Sequence, residues 1–131
     1  MPVSGPEHLL VLTEDMDATR DFWCAALDLE VGDRPPLEFR GYWLYSGDVA
    51  CVHIADRASY EAHSERIGIP ASPGAVDHVA FNGDGYERVV ERLAARGVEA
   101  AENEVPGAGI RQLFVEDPNG VKIEINVKES G

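Results

Sequence analysis

Asp77-His78-Val79-Ala80-Phe81-Asn82 reads as a short apolar strand opened by a histidine, and Glu7-His8-Leu9-Leu10-Val11-Leu12 reads the same way 70 residues earlier. The segments after the two stretches match as well. After the first, Asp15 is placed to cap a helix whose Met16, Thr19, Phe22, Trp23, Ala26 and Leu27 fall on one face. After the second, Asp84 is placed to cap a helix with Tyr86, Val89, Val90, Leu93 and Ala94 on one face, and Gly97 suits the left-handed residue that ends it. Three strand-like pieces come next in each half: residues 29–33, 41–45 and 49–55, then 98–102, 110–116 and 121–127. Asp117-Pro118-Asn119-Gly120 has the residues of a tight turn between the last two.

The polar landmarks keep the same period. His8 to His78 is 70 residues and His53 to Glu124 is 71, while His8 to His53 is 45 and His78 to Glu124 is 46. The expected fold is therefore α+β, with two βαβββ modules in tandem, residues 7–55 and 77–127, in a single domain spanning 1–131. The linker, 56–76, is rich in Ala, Ser, Gly and Pro, with a possible helical turn at 59–67. Its residues reach roughly 60 Å when extended, at about 3.3 Å each. That span lets the modules pair within one chain or across two.

Composition narrows the partners. A chain of 131 residues suits one domain with an unstapled core. Eleven basic against 24 acidic side chains give a net charge of −13, with no run of Lys or Arg. Such a field repels phosphate backbones and anionic lipid, so neither nucleic acid nor a membrane surface is expected as a partner. No apolar run approaches the roughly 20 residues of a membrane span. Met1-Pro2-Val3-Ser4-Gly5-Pro6 lacks the features of a secretory signal, and Cys24 and Cys51 are too few for a disulfide scaffold. A soluble, cytoplasmic protein is the expectation.

Side chains alternate across a strand. Lys122, Glu124 and Asn126 share one face, with Val121, Ile123 and Ile125 on the other; Cys51 and His53 oppose Val52 and Ile54. His8 goes with Leu10 and Leu12, and His78 with Ala80 and Asn82. On one curved sheet with helices outside, His8, His53, His78 and Glu124 converge on the concave face. Two histidines and a carboxylate with open positions form the ligand set of a mononuclear Fe(II) or similar divalent site. His53 then serves as a fourth ligand or as a neighbouring acid–base group. Taken singly, a strand histidine is more often a satisfied polar residue, and Glu124 could simply pair with an arginine. Independent accidents, however, would not respect a repeat. His63 and Glu65 read as solvated linker residues, and Cys24 as core filler. Trp43 and Tyr45, or else Tyr42 and Leu44, are placed either to line an apolar pocket or to fill the core. Cys51 shares a face with His53 and could touch a substrate, although a small buried hydrophobe is the better reading of it. Arg111 or Gln112 also faces that pocket, depending on register.

These residues resemble the vicinal oxygen chelate superfamily, which includes glyoxalase I, type I extradiol dioxygenases, fosfomycin-resistance thiol transferases, methylmalonyl-CoA epimerase and bleomycin-binding proteins. The likeness runs from Glu7 to Asn126. It is carried by the His8-Leu-Leu-Val-Leu opening, Arg20-Asp-Phe-Trp-Cys with Leu27, Asp77-His78-Val-Ala-Phe, and above all Phe114-Val-Glu-Asp-Pro-Asn-Gly-Val-Lys-Ile-Glu124. The resemblance implies a cupped mixed sheet with helices outside, closed around a divalent metal, and a homodimer that covers open strand edges. It assigns His8, His78 and Glu124 as ligands. His53 falls where glyoxalase I carries a fourth ligand that is usually a carboxylate, which departs from glyoxalase I proper. Asp28 stands where many relatives have Gly, at a place that tolerates the left-handed conformation.

The shared task is chelation of two adjacent substrate oxygens, with the metal as Lewis acid. With Fe(II), which the ligand set favours, three positions stay open for a catecholate and O2, and His53 can move the catechol proton. Zn, Ni, Co or Mn would suit a glyoxalase I-like lyase or epimerase working through an enediolate, with Glu124 as base. Ring-cleavage dioxygenation is the slightly favoured reaction on a small-molecule substrate; His53 and Glu124 are the catalytic candidates in these schemes. A non-catalytic, drug-sequestering pocket is the further alternative.

Overall fold

The structure is a computed structural model that describes residues 3–118 and 120–128. Its elements, in chain order, are β1 (Val3–Thr13), α1 (Met16–Leu27), β2 (Glu30–Gly32), β3 (Gly41–Ser46), β4 (Val49–Asp56), α2 (Arg57–Ile67), β5 (Val76–Gly83), α3 (Tyr86–Ala95), β6 (Ala101–Val105), β7 (Ile110–Glu116) and β8 (Lys122–Lys128). Two βαβββ modules are thus present, β1α1β2β3β4 and β5α3β6β7β8. Between them the supposed linker forms a full helix, α2, capped by Asp56 and ended by Gly68 at φ 74°.

The chain divides into a unit of Glu7–His78 and a second built from Val79–Gly131 with Met1–Pro6. In the first, strands lie in the order β2-β3-β4-β1, with β1–β4 parallel and the other pairs antiparallel. The second repeats that order as β6-β7-β8-β5, with β5–β8 parallel. The repeat extends to register. Leu10 pairs with His53 in one module and Ala80 with Glu124 in the other. Each opening histidine sits two residues before that partner, hence on the same strand face.

In the Glu7–His78 unit, Leu29, Leu44, Val52 and Ile54 form a cluster under Met16, Trp23 and Cys24 of α1. Asp15 caps α1, accepting from the Ala18 N–H at 3.0 Å, and Asp28 ends it at φ 55°. Among the described residues Asp28 is the one non-glycine with positive φ. The other face of the same strands carries a second cluster, Leu10, Leu12 and Ala55 with Tyr60 of α2, flanked by Phe39 and Ala71. Helix α2 therefore covers part of the histidine-bearing face, while α1 lies on the opposite one.

In the other unit, Tyr86 and Val89 of α3 pack on Leu113, Ile125 and Val127, joined by Val3, Val90 and Leu93. Asp84 does not cap α3: Gly85 takes the N-cap position at φ 75°, and the Asp84 side chain lies 3.9 Å from Arg88. The conformation at the cap needs a positive φ, which Gly85 supplies without steric cost. Gly97 does adopt positive φ, 68°. Strand β6 begins at Ala101, three residues later than the apolar Val98 suggests, because residues 98–100 are exposed and unpaired with β7. Of the turn before β8, Asn119 lies outside the described residues; Gly120, at φ 88°, donates to the Asp117 carbonyl at 3.1 Å. Among the described residues no helix is long and apolar enough to cross a membrane.

Candidate metal centre

His8 of β1 and His78 of β5 belong to the same unit and are both buried. Each holds a carboxylate at Nδ1: Glu7 Oε1 at 2.9 Å for His8, Asp77 Oδ2 at 2.8 Å for His78. An Nδ1–H donated to a carboxylate fixes the tautomer and puts a lone pair on Nε2. The two Nε2 atoms then face each other at 3.4 Å. Two lone pairs so placed repel unless a cation lies between them. Ligands about 2.1 Å from one ion at a tetrahedral angle would be about 3.4 Å apart. The donor set therefore fits a divalent ion, and the two histidines are near enough to share one.

The carboxylates behind the rings are functional residues that strand alternation does not single out. Asp77 is 2% exposed and is held from three sides: Tyr60 Oη donates to Oδ2 at 2.7 Å, the Ser72 N–H donates to Oδ1 at 2.7 Å, and His78 occupies the third. Helix α2 thus reaches the site through Tyr60. The sequence does carry a signal for them, since an acidic residue precedes each strand histidine.

His53 lies against His8. The rings stack with centroids 3.6 Å apart and planes 15° apart, and Trp43 stacks on the far side of His53 at 4.1 Å and 10°. Trp43 is the cross-strand partner of His53, which explains the contact. A nitrogen lone pair lies in its ring plane, so rings stacked this way cannot both reach one ion at about 2.1 Å. The stacking makes His53 a neighbour of His8. Its Nε2–H donates to the Ala50 carbonyl at 3.1 Å, leaving Nδ1 as the acceptor. Burial, reinforced by His8 and His78, pushes its pKa down to about 2, so the ring is neutral.

Of the other pocket candidates in this unit, Trp43 is on the histidine face. Tyr45 shares that strand face, but its hydroxyl donates to the Asp33 carbonyl at 2.5 Å and its ring lies against Gly32. Cys51 is a correction. The register slips between Leu44 and Tyr45, which pair with Val52 and Ala50, so Cys51 is the extra residue of a β-bulge. It packs with the Leu44–Val52 cluster under α1, with Sγ 3.9 Å from the Leu44 carbonyl, and not beside His53.

In the other unit Glu124 is 4% exposed on β8, and Gln112 Nε2 donates to its Oε1 at 3.2 Å and to Asn126 Oδ1 at 3.2 Å. Asn103 Nδ2 in turn donates to Gln112 Oε1 at 2.8 Å. Gln112 is therefore the β7 residue on the Glu124 face. Arg111, the other candidate for that pocket, points the opposite way: its guanidinium lies 3.5 Å over the Tyr86 ring, with Glu87 and Glu104 each at 3.8 Å. Pairing of Gln112 with Asn126 settles the register and turns Arg111 toward α3. Tyr86, bonded to Glu102, has its phenol pushed up to about 12 by burial and that carboxylate.

A fold of two βαβββ repeats, with paired histidines and a carboxylate on the faces away from α1 and α3, defines a recognised class. The chain belongs to the Glyoxalase/Bleomycin resistance protein/Dioxygenase superfamily, whose family profile matches residues 5–125. It is 27% identical over 121 residues to Glyoxylase I 4 of Arabidopsis thaliana, covering 90% of this chain and 67% of that one. Among solved structures it resembles methylmalonyl-CoA epimerase of Mycobacterium tuberculosis, with a TM-score of 0.71, 16% identity, and coverage of 98% and 91%. It also resembles the Streptomyces coelicolor epimerase in complex with 2-nitronate-propionyl-CoA, with a TM-score of 0.68, 20% identity, and coverage of 98% and 99%. At these identities the structural likeness establishes the fold; enzymes stand among the relatives.

Proposed function

We propose that the protein is a divalent-metal-dependent enzyme that binds a small substrate through two adjacent oxygens. The observation that carries this is the pair of carboxylate-backed imidazoles with Nε2 atoms 3.4 Å apart. We assign Glu124 as the third ligand: it is buried, and it occupies in the second module the register position of His53 in the first. The ion supplies Lewis-acid stabilisation of negative charge on the substrate oxygens. Glu7 and Asp77 hold the two imidazoles in the ligating tautomer, and the buried surroundings exclude water that would weaken these interactions.

With His53 beside His8 and outside the ligand set, three protein ligands would leave open positions for the substrate oxygens. That supports the ring-cleaving reading, with Fe(II) as the metal and the neutral His53 offering Nδ1 as a hydrogen-bond acceptor that orients a substrate hydroxyl. A second reading, lyase or epimerase chemistry, has the likeness to Glyoxylase I 4 in its favour. There Glu124 would accept and return a carbon-bound proton.

Metal analysis separates them. Protein purified without oxygen or chelator is expected to hold close to one iron per chain and to consume oxygen with catechols. Zinc, nickel or cobalt, with deuterium exchange into a 2-hydroxy or 2-oxo compound followed by NMR, would instead establish the second reading. No binding of any ion after reconstitution would overturn both and leave a binding pocket.

A further inference from the structure

We propose that Arg34 anchors a carboxylate of the substrate, so that the substrate is an organic anion carrying a carboxylate apart from its two metal-binding oxygens. This rests on the metal-enzyme reading above and deepens it. Arg34 lies between β2 and β3 and is half-buried. Nη2 donates to the Phe39 carbonyl at 2.5 Å, and the guanidinium sits 5.1 Å from the Phe39 ring centre. Its Nε is buried with no hydrogen-bond partner, and it makes no ion pair among the described residues. Arg40, Arg57, Arg92 and Arg96 also lack an ion pair among the described residues, but only Arg34 among the described arginines combines that with a buried side-chain nitrogen left without a partner. Arg20, Arg66, Arg88 and Arg111 each sit within ion-pair distance of at least one carboxylate. The neighbouring Glu38 is committed elsewhere, to Arg66 at 3.0 Å and His63 at 3.3 Å. A guanidinium taken partly out of water without a carboxylate loses hydration that a planar, two-point partner would restore. Burial accordingly lowers the Arg34 pKa, and no carboxylate opposes that effect.

Its position points to the same site. A Cβ at Gly41 would lie 3.3 Å from Arg34 Nη2. Gly41 shares a strand face with Trp43, about 7 Å along β3, and Trp43 stacks on His53. In the second module the position equivalent to Gly41 is Gln112, which donates to Glu124. In the first module that position is a glycine whose missing Cβ would clash with the Ile54 carbonyl oxygen, and Arg34 comes in beside it from the loop.

The test uses probes that share one chelating head: catechol, and the 3,4- and 2,3-dihydroxybenzoates, titrated calorimetrically into cobalt(II)-loaded protein. The cobalt absorption spectrum reports independently whether the ion is bound. In the wild-type chain at least one dihydroxybenzoate is expected to bind about tenfold tighter than catechol, against the chain's overall negative field. Arg34→Gln should abolish that ratio and leave catechol affinity within about twofold, and Arg34→Lys should retain part of it. If Arg34→Gln weakens all probes equally, or if wild type shows no preference, Arg34 merely supports its loop and the proposal is overturned. If cobalt does not bind at all, the metal-enzyme reading fails and takes the proposal with it. Melting temperatures of the variants separate either result from loss of the fold.

Discussion

The closing strands of the two modules, β4 and β8, occupy one position in the repeat and fill it with different chemistry. His53 faces Leu10 on one side and Trp43 on the other; Glu124 faces Ala80 and Phe114. The backbone pattern, down to the aromatic on the neighbouring strand, is the same. The neutral imidazole is stacked between two rings and gives its proton to a backbone carbonyl. The carboxylate, which cannot stack, receives an amide proton from Gln112. A repeat therefore fixes where a functional side chain stands, while its cross-strand neighbours decide what that side chain can do.

Removing each of the two side chains in turn tests that division most severely. Glu124→Gln is expected to lower metal affinity by about 100-fold or more, while His53→Phe, which keeps the stack, changes it by less than about threefold. Competition against a chelator of known affinity measures both, and equal losses would make His53 a ligand. The backing carboxylates give the next largest effect. Asp77→Asn should cost about 10- to 100-fold in metal affinity and about 2 kcal/mol of stability, because it also holds Tyr60 and Ser72. Glu7→Gln, with a partly exposed carboxylate, should cost less of both.

Much of the fold is legible in the residues themselves. The two opening histidines, the shared face of Glu124 and Asn126 and the Asp15 cap follow from the repeat, strand alternation and helix-end chemistry, and all are found; the left-handed Asp28, expected from the resemblance, is found as well. Three features are not legible in that way. A β-bulge adds a residue without marking it in the sequence, so strict alternation puts Cys51 on the wrong face. The choice between Arg111 and Gln112 depends on pairing with β8, which no local pattern encodes. Helix α2 has a weakly patterned sequence, and its place on the histidine face comes from the packing of Tyr60 against Leu10, Leu12 and Ala55. Within the site, the histidines are visible because they repeat, and so is the acidic residue before each; what Glu7 and Asp77 do there is read from side-chain geometry.

The helices of the two modules differ too, with smaller consequences. Val89 of α3 is 1% exposed, whereas α1 has no fully buried residue. Val89→Ala should destabilise by about 2 kcal/mol in urea unfolding and Cys24→Ala by less than about 1 kcal/mol. The smallest effect is at alkaline pH. The Tyr86 phenol is raised in the folded state, so its contribution is complete below its ordinary value near 10 and is lost as pH rises toward about 12. Tyr86→Phe should flatten the fall of melting temperature across that window; an unchanged slope would show that the phenol does not govern it.

The chain has two tryptophans, and they divide between the two faces of the first module's sheet: Trp23 under α1, Trp43 on His53. A Trp23→Phe chain would place all its indole emission one imidazole away from His8. Its intrinsic fluorescence would then follow ion or ligand arrival in real time, with no added label, in a protein whose substrate has first to be found by screening.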